Sequence, residues 1–129
     1  MIQPKWLDRA LIDLIHAKQI ERYGGGDGLR DEGMLLSAVA GPQNVFAYEP
    51  SADIFAIAAT YGVGIVKNHP YVDGNKRTGF LAATLFLQAN GYRFQATPKE
   101  AELRTVELAA GEIGRDEYAA WLRETSVPA

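Results

Sequence analysis

Apolar residues along this chain recur mostly at helical spacing. Leu7, Leu11, Leu14 and Ile15 fall at i, i+4, i+7 and i+8, one face of a helix. Pro4 suits a first helical position, where its missing N–H has no intrahelical acceptor to lose. Gly24, Gly25 and Gly26 should end this helix, because residues without a Cβ are costly to order in it. A shorter helix is expected over residues 31–39 with Asp31 as its cap. The stretch GPQNVFAYEP, residues 41–50, has turn formers at both ends and apolar residues between them. It reads as a loop with hairpin character, longer than a minimal connection between helices.

The next segment, ADIFAIAATYGVGIVKN, follows Ser51, which is expected to cap it. Ile54, Phe55, Ala58, Tyr61, Ile65 and Val66 cover a wide face, and Ala and Gly fill most of the rest. A helix apolar nearly all round belongs in the middle of a fold. LAATLFLQANG forms a second apolar helix closed by Gly91. Residues 92–96 alternate like a short extended piece. Thr97-Pro98-Lys99-Glu100 reads as a capping box with proline at the first helical position. It opens a helix to about Ala110, and a last helix is expected near residues 116–123. No internal repeat, low-complexity tract or linker interrupts the pattern. The expected fold is all-α, a compact single-domain bundle over residues 1–129 around two central helices.

Composition narrows the possible functions. A length of 129 residues is one domain by ordinary size, and 47% apolar residues can supply its core. With no Cys, disulfides, thiolate nucleophiles and Cys-based zinc sites are excluded together, which suits a reducing cytoplasm. The start, MIQPKWLDRALIDLIHAK, meets acidic residues early and has no uninterrupted apolar run, which argues against a signal peptide. Nothing in the sequence is long and apolar enough to span a bilayer, so no membrane partner is expected. Thirteen basic against sixteen acidic side chains give net −3. Phosphate neutralisation drives nucleic-acid binding and calls for basic excess, so no direct nucleic-acid partner is expected.

The chemistry concentrates in HPYVDGNKRTG, residues 69–79, between the two most apolar helices. The first-turn N–H groups of the second helix have no partners within it, and its dipole is positive at that end, so the junction favours anions. Gly74 lets a phosphate approach the backbone. Asn75 can donate from its amide, and Lys76 and Arg77 add positive charge. Asp73 is the lone carboxylate among these groups, the usual protein share of a Mg²⁺ otherwise held by phosphate oxygens and water. His69 is of the one side-chain type that ordinarily titrates near neutrality, which suits a general base. Together these are the parts that phosphoryl transfer to a hydroxyl needs. Each residue also has a plainer reading. Asp73-Gly74 reads as a turn, Asp73 or Asn75 as a helix cap, Lys76 and Arg77 as a solvated first turn, and His69 as a C-terminal cap. Taken singly the plainer readings prevail, but they do not explain why all these groups share one junction. The Walker A pattern GxxxxGK[ST] is absent.

HPYVDGNKRT closely resembles the signature of the Fic/Doc family: HPFx[DE]GN, a small residue, arginine and, three positions on, a second arginine. GGGDGLRDEGMLLSAVAGPQNVFAYEP, VKNHPYVDGNKRTGFLAATLFLQANGYRF and AAGEIGRDEYAAWLRE extend the likeness to its short death-on-curing branch. The resemblance implies an ATP-using enzyme of Fic-type helical fold. By it, His69 corresponds to the base, Asp73 to the Mg²⁺ ligand, and Asn75 with Arg77 to phosphate-binding groups. Tyr71 stands for the motif's Phe and is expected to pack beneath the loop. Lys76 takes the small-residue place and Phe80 the second-arginine place, which departs from the AMP-transferring members and matches the death-on-curing branch. That branch resembles a kinase of a threonine on elongation factor Tu that stops translation.

The resemblance further implies that residues 43–50 form a flap aligning a target segment through backbone pairing, with Gln43, Asn44, Val45 and Phe46 as its docking residues. An inert connector is the equal alternative. The inhibitory pattern [ST]xxxE[GN] found in other members is absent. A separate antitoxin is therefore implied, with a disordered tail that folds onto the toxin. The expected activity is Mg²⁺-dependent transfer of the ATP γ-phosphate to a protein hydroxyl, with His69, Asp73 and Lys76 catalytic and Gly74, Asn75, Lys76 and Arg77 holding phosphate. The alternatives are AMP transfer on the same site and a silent module that only binds its antitoxin. Outside the run, His16 reads as a surface or packing residue. Trp6, Tyr118 and Trp121 read as terminal segments docking on the core, and residues 24–28 as a flexible turn.

Overall fold

The computed structural model describes residues 2–129. Among the described residues six helices occur in the order α1 (Arg9–Tyr23), α2 (Glu32–Tyr48), α3 (Ile54–Asn68), α4 (Asn75–Ala89), α5 (Pro98–Ala110) and α6 (Arg115–Glu124). Two short strands, β1 (Tyr92–Phe94) and β2 (Ser126–Pro128), pair antiparallel with Tyr92 opposite Pro128 and Phe94 opposite Ser126. The all-α expectation holds, and the small hairpin-like element belongs to this pairing rather than to residues 41–50.

Helix α3 is the axle, packing against α2, α4, α5 and α6. It buries Phe55, Ile57, Tyr61, Ile65 and Val66, but its small residues decide the geometry. A Cβ on Gly64 would lie 3.1 Å from the Ala38 Cα of α2, and one on Gly79 of α4 would lie 2.7 Å from Val66 Cγ2 and 3.1 Å from Gly62 O. Glycine at these places lets both neighbours approach α3 backbone to backbone. Asp8, Asp31, Asp53 and Thr97 each accept a first-turn N–H and cap α1, α2, α3 and α5, each worth about 1 kcal/mol.

Several expectations are corrected. Asp53, not Ser51, caps α3, through Ala56 N at 2.9 Å. Residues 4–7 precede α1 and are not helical. Lys5 exchanges two hydrogen bonds with the Asn90 side chain, and the Tyr61 hydroxyl both receives Leu7 N–H and donates to Leu7 O. Burial pushes the Tyr61 phenol up to about 12, so it keeps the proton it donates. The inward face of α1 is Ile12, Ile15 and His16, whereas Leu11 and Leu14 are exposed. Glu100 completes only half of its capping box: its N–H reaches Thr97 Oγ1, but its carboxylate accepts from Trp121 Nε1 at 2.8 Å.

The largest correction concerns residues 41–50. Helix α2 runs through Gly41 and Pro42 to Tyr48, so Gln43, Asn44, Val45 and Phe46 are helical and offer no free strand edge. Leu35, Ala38, Pro42 and Val45 form one buried stripe at helical spacing, and burial against α3 outweighs the local preference of Gly-Pro for a turn. Gln43 and Asn44 face solvent, and Phe46 packs edge-on against Trp6 at 5.7 Å. Trp6, Tyr118 and Trp121 dock on the core as expected.

Substituting Gly79→Ala should force α3 and α4 apart and lower stability by about 1–3 kcal/mol, read as a lower urea midpoint. An unchanged midpoint would show that the two helices do not depend on this close approach.

Candidate active site

Residues 69–74 connect the C-terminal end of α3 to the N-terminal end of α4. His69 is left-handed, with φ 51° and ψ 54°, and turns the chain out of α3. Gly74 is left-handed as well, with φ 80°, where a side chain would be strained and a Cβ would sit 3.3 Å from Ile20 Cδ1. No side chain among the described residues caps α4. Its first-turn N–H groups, at Asn75, Lys76 and Arg77, are left for an anion.

The loop rests on a built foundation. The Asn75 side chain is closed on Tyr71: its Oδ1 accepts Tyr71 N–H at 3.0 Å and its Nδ2 donates to Tyr71 O at 2.9 Å. Asn75 is buried, so its amide shapes the loop and is not offered to phosphate; only its backbone N–H is left at the open end of α4. Tyr71 lies beneath the loop as expected. Its ring stacks on His16 with centroids 3.7 Å apart, and its hydroxyl donates to Asp13 Oδ1 at 2.7 Å. Burial first, and Asp13 second, push the Tyr71 phenol well up, so it remains a donor. His16 is buried and its Nε2–H donates to Asp73 O at 2.8 Å. It is a packing residue, as expected, but packs directly under the site.

Residues 24–31 cover the loop, and Gly26, Gly28, Arg30 and Asp31 are hydrogen-bonded to it. Val72 N–H donates to Gly28 O, Arg30 and Asp31 N–H both reach Pro70 O, and Leu29 bridges antiparallel to Tyr71. Gly26 N–H donates to Asp73 Oδ2 at 2.6 Å. A Cβ on Gly26 would meet Val72 Cγ1 at 2.9 Å, so a side chain where this segment crosses the loop would displace Val72.

A cleft of about 980 Å³ opens over the junction and gathers His69, Asp73, Gly74, Asn75, Lys76 and Arg77 along one wall. His69, Asp73, Lys76 and Arg77 are exposed to it. The Arg77 guanidinium lies 4.1 Å from the centre of the Tyr23 ring, a close cation–π contact. Lys67, on the last turn of α3, adds a further cation. Beyond this polar end the cleft becomes apolar, walled by Phe80, Leu81, Phe94, Ala101 and Val106. Phe80 packs edge-on against Phe94 at 5.4 Å and closes that wall with carbon. Gln43, Asn44, Val45 and Phe46 do not line the cleft. Sequence reading passed over Tyr23, Arg30 and Lys67. Only Lys67, two positions before His69, carried a signal close to the run.

The Fic/DOC family profile matches residues 6–87. A protein kinase named doc from Escherichia phage P1 is 39% identical over 109 residues, covering 84% of this chain and 86% of its own length. A toxin named Doc from Mycolicibacterium smegmatis is 36% identical over 121 residues, covering 92% and 91%. The chain belongs to the Fic/Doc family.

If Asn75 is the clamp of the loop, Asn75→Ala strands the buried N–H and C=O of Tyr71 and should lower stability by about 1–3 kcal/mol. Asn75→Asp, which sets an acceptor against Tyr71 O, should cost at least as much. Urea unfolding checks both, and wild-type stability in either variant would contradict the assignment.

Proposed function

We propose that this chain is the toxin of a toxin–antitoxin pair and a Mg²⁺-dependent kinase that transfers the γ-phosphate of ATP to a protein hydroxyl. The observation that carries this reading is the uncapped N-terminus of α4, flanked by His69 and Asp73 and opening into the cleft. Kinship with a doc protein kinase and a Doc toxin supports the same reading.

In this reading the γ-phosphoryl oxygens lie against the N–H groups of Asn75, Lys76 and Arg77, with Gly74 permitting the approach. Lys76 and Arg77 neutralise charge on the transferred group. His69 takes the proton of the attacking hydroxyl, whose oxygen bonds to the γ-phosphorus. The bond from that phosphorus to the β–γ bridging oxygen breaks, and ADP leaves with the electron pair. A metal fits here: one oxygen of Asp73 is held by Gly26 while Oδ1 has no partner among the described residues. One carboxylate oxygen is the protein share that Mg²⁺ needs when phosphates and water complete its shell. The metal, when bound, supplies charge neutralisation between phosphates.

Transfer of γ-phosphate rather than AMP is favoured by the carbon wall at Phe80. The AMP-transferring members place a second phosphate-binding arginine there, whereas Phe80 packs on Phe94 and Trp121. The target segment is laid along the non-helical residues 24–30, of which Leu29 already bridges to the loop and Gly26 binds Asp73, in place of the helical residues 43–46. The proposed target is a threonine of elongation factor Tu, and the proposed compartment is the cytoplasm. No helix among the described residues is long and apolar enough to cross a membrane. The cognate antitoxin is proposed to use a disordered segment that folds as a helix into the apolar end of the cleft. Residues 1–129 are proposed to form a single Fic/Doc domain.

Incubation with ATP, Mg²⁺ and purified elongation factor Tu, followed by mass spectrometry, tests the reading. The expected product carries an increment of about 80 Da, formed together with ADP and abolished by EDTA; AMP transfer would add about 329 Da. The heavier adduct, or transfer that persists in excess EDTA, would overturn it. No adduct from folded protein would favour the silent module.

A further inference from the structure

We propose that Arg30 is the positioning residue of His69, so that the segment covering the site also sets the geometry of the base. The proposal rests on the reading of His69 given above. Among the described residues His69 is the one non-glycine residue with positive φ. A residue with a Cβ holds that conformation only when its surroundings fix it.

Arg30 supplies the fixing contacts. Its Nε donates to His69 O at 2.6 Å and its Nη2 donates to Asn68 O at 2.8 Å. These carbonyls belong to the C-terminal end of α3, where the dipole is negative and a cation is favoured. The guanidinium forms no ion pair among the described residues, so its polar contacts are these two carbonyls. Arg30 is itself pinned. Its N–H and that of Asp31 both donate to Pro70 O, at 2.7 and 3.0 Å, and Asp31 caps α2 through Met34 N. Three successive carbonyls, of Asn68, His69 and Pro70, are thus tied to the start of α2.

On its other side, His69 N–H donates to Ile65 O at 3.2 Å. Both peptide planes around His69 are held, and with them the direction of its Cα–Cβ bond towards the cleft. The planar fork of arginine can bind two adjacent carbonyls at once, whereas lysine brings only a point charge. The same segment bears Gly26, bound to Asp73. The proposed base and the proposed metal ligand are therefore registered by one segment of chain.

The test uses wild type, Arg30→Ala, Arg30→Lys, His69→Ala and the Arg30→Ala/His69→Ala double variant. Nuclear magnetic resonance reads the His69 Cα and Cβ shifts, and γ-labelled ATP with elongation factor Tu reads transfer. Arg30→Ala should move the His69 shifts out of their left-handed range and lower kcat roughly tenfold to a hundredfold. The KM for ATP should change by less than about twofold. In the His69→Ala background the same substitution should cost almost nothing, and Arg30→Lys should recover only a minor part of the loss. Unchanged His69 shifts in folded Arg30→Ala, or an equal loss in both backgrounds, would overturn this proposal alone. Full transfer by folded His69→Ala would instead overturn the base reading on which it rests. If Arg30→Ala does not fold, Arg30→Gln carries the same readouts and the same two outcomes.

Discussion

The close approach of α3 and α4 governs the rest of the molecule. At Gly79 there is no room for a Cβ against Val66 and the Gly62 carbonyl, and the helices lie close enough for six residues to join them. That connection sets the negative end of one helix dipole beside the positive end of the next. The two ends then make opposite demands. The carbonyls finishing α3 attract a cation, and Arg30 provides one. The N–H groups opening α4 attract an anion, and no side chain among the described residues provides it. An unmet demand at the mouth of a cleft, next to groups able to bind metal and move a proton, is the physical core of the proposed activity.

Polar groups at the junction divide sharply into those spent on structure and those left free. Asn75 closes on Tyr71, His16 holds the Asp73 carbonyl, and Tyr71 reaches down to Asp13. These contacts are buried or partly buried and tie the loop to α1 and α4, which is what electrostatic preorganisation calls for. His69, Lys76 and Arg77 stand outside that network and face the cleft. Asp73 belongs to both groups, with its main-chain oxygen under His16 and one carboxylate oxygen under Gly26.

How legible each part was in the sequence follows from the range of the interactions that fix it. The two central helices were readable because runs of apolar and small residues have only one place to go. The run at 69–79 was readable because its groups are close in sequence, and the fold keeps most of them together along one cleft. The course of α2 was not, since Gly41-Pro42 signals a turn locally and only burial of Leu35, Ala38, Pro42 and Val45 against α3 overrides it. His16 and Arg30 act on main-chain carbonyls 57 and 39 residues away. No motif records a bond to a carbonyl, because every residue has one. Asn75 misled for a related reason: its amide suits a phosphate as well as it suits Tyr71, and only the fold shows which is within reach.

The central claim is that phosphate is held by the opening turn of α4. Backbone amide shifts of the isotope-labelled protein, titrated with Mg²⁺ and ATP in the absence of any target, test it most directly. The N–H signals of Asn75, Lys76 and Arg77 should move furthest, with smaller changes at His69 and Asp73 and none at residues 43–46. Saturable ATP binding that leaves those three amides in place would contradict the account.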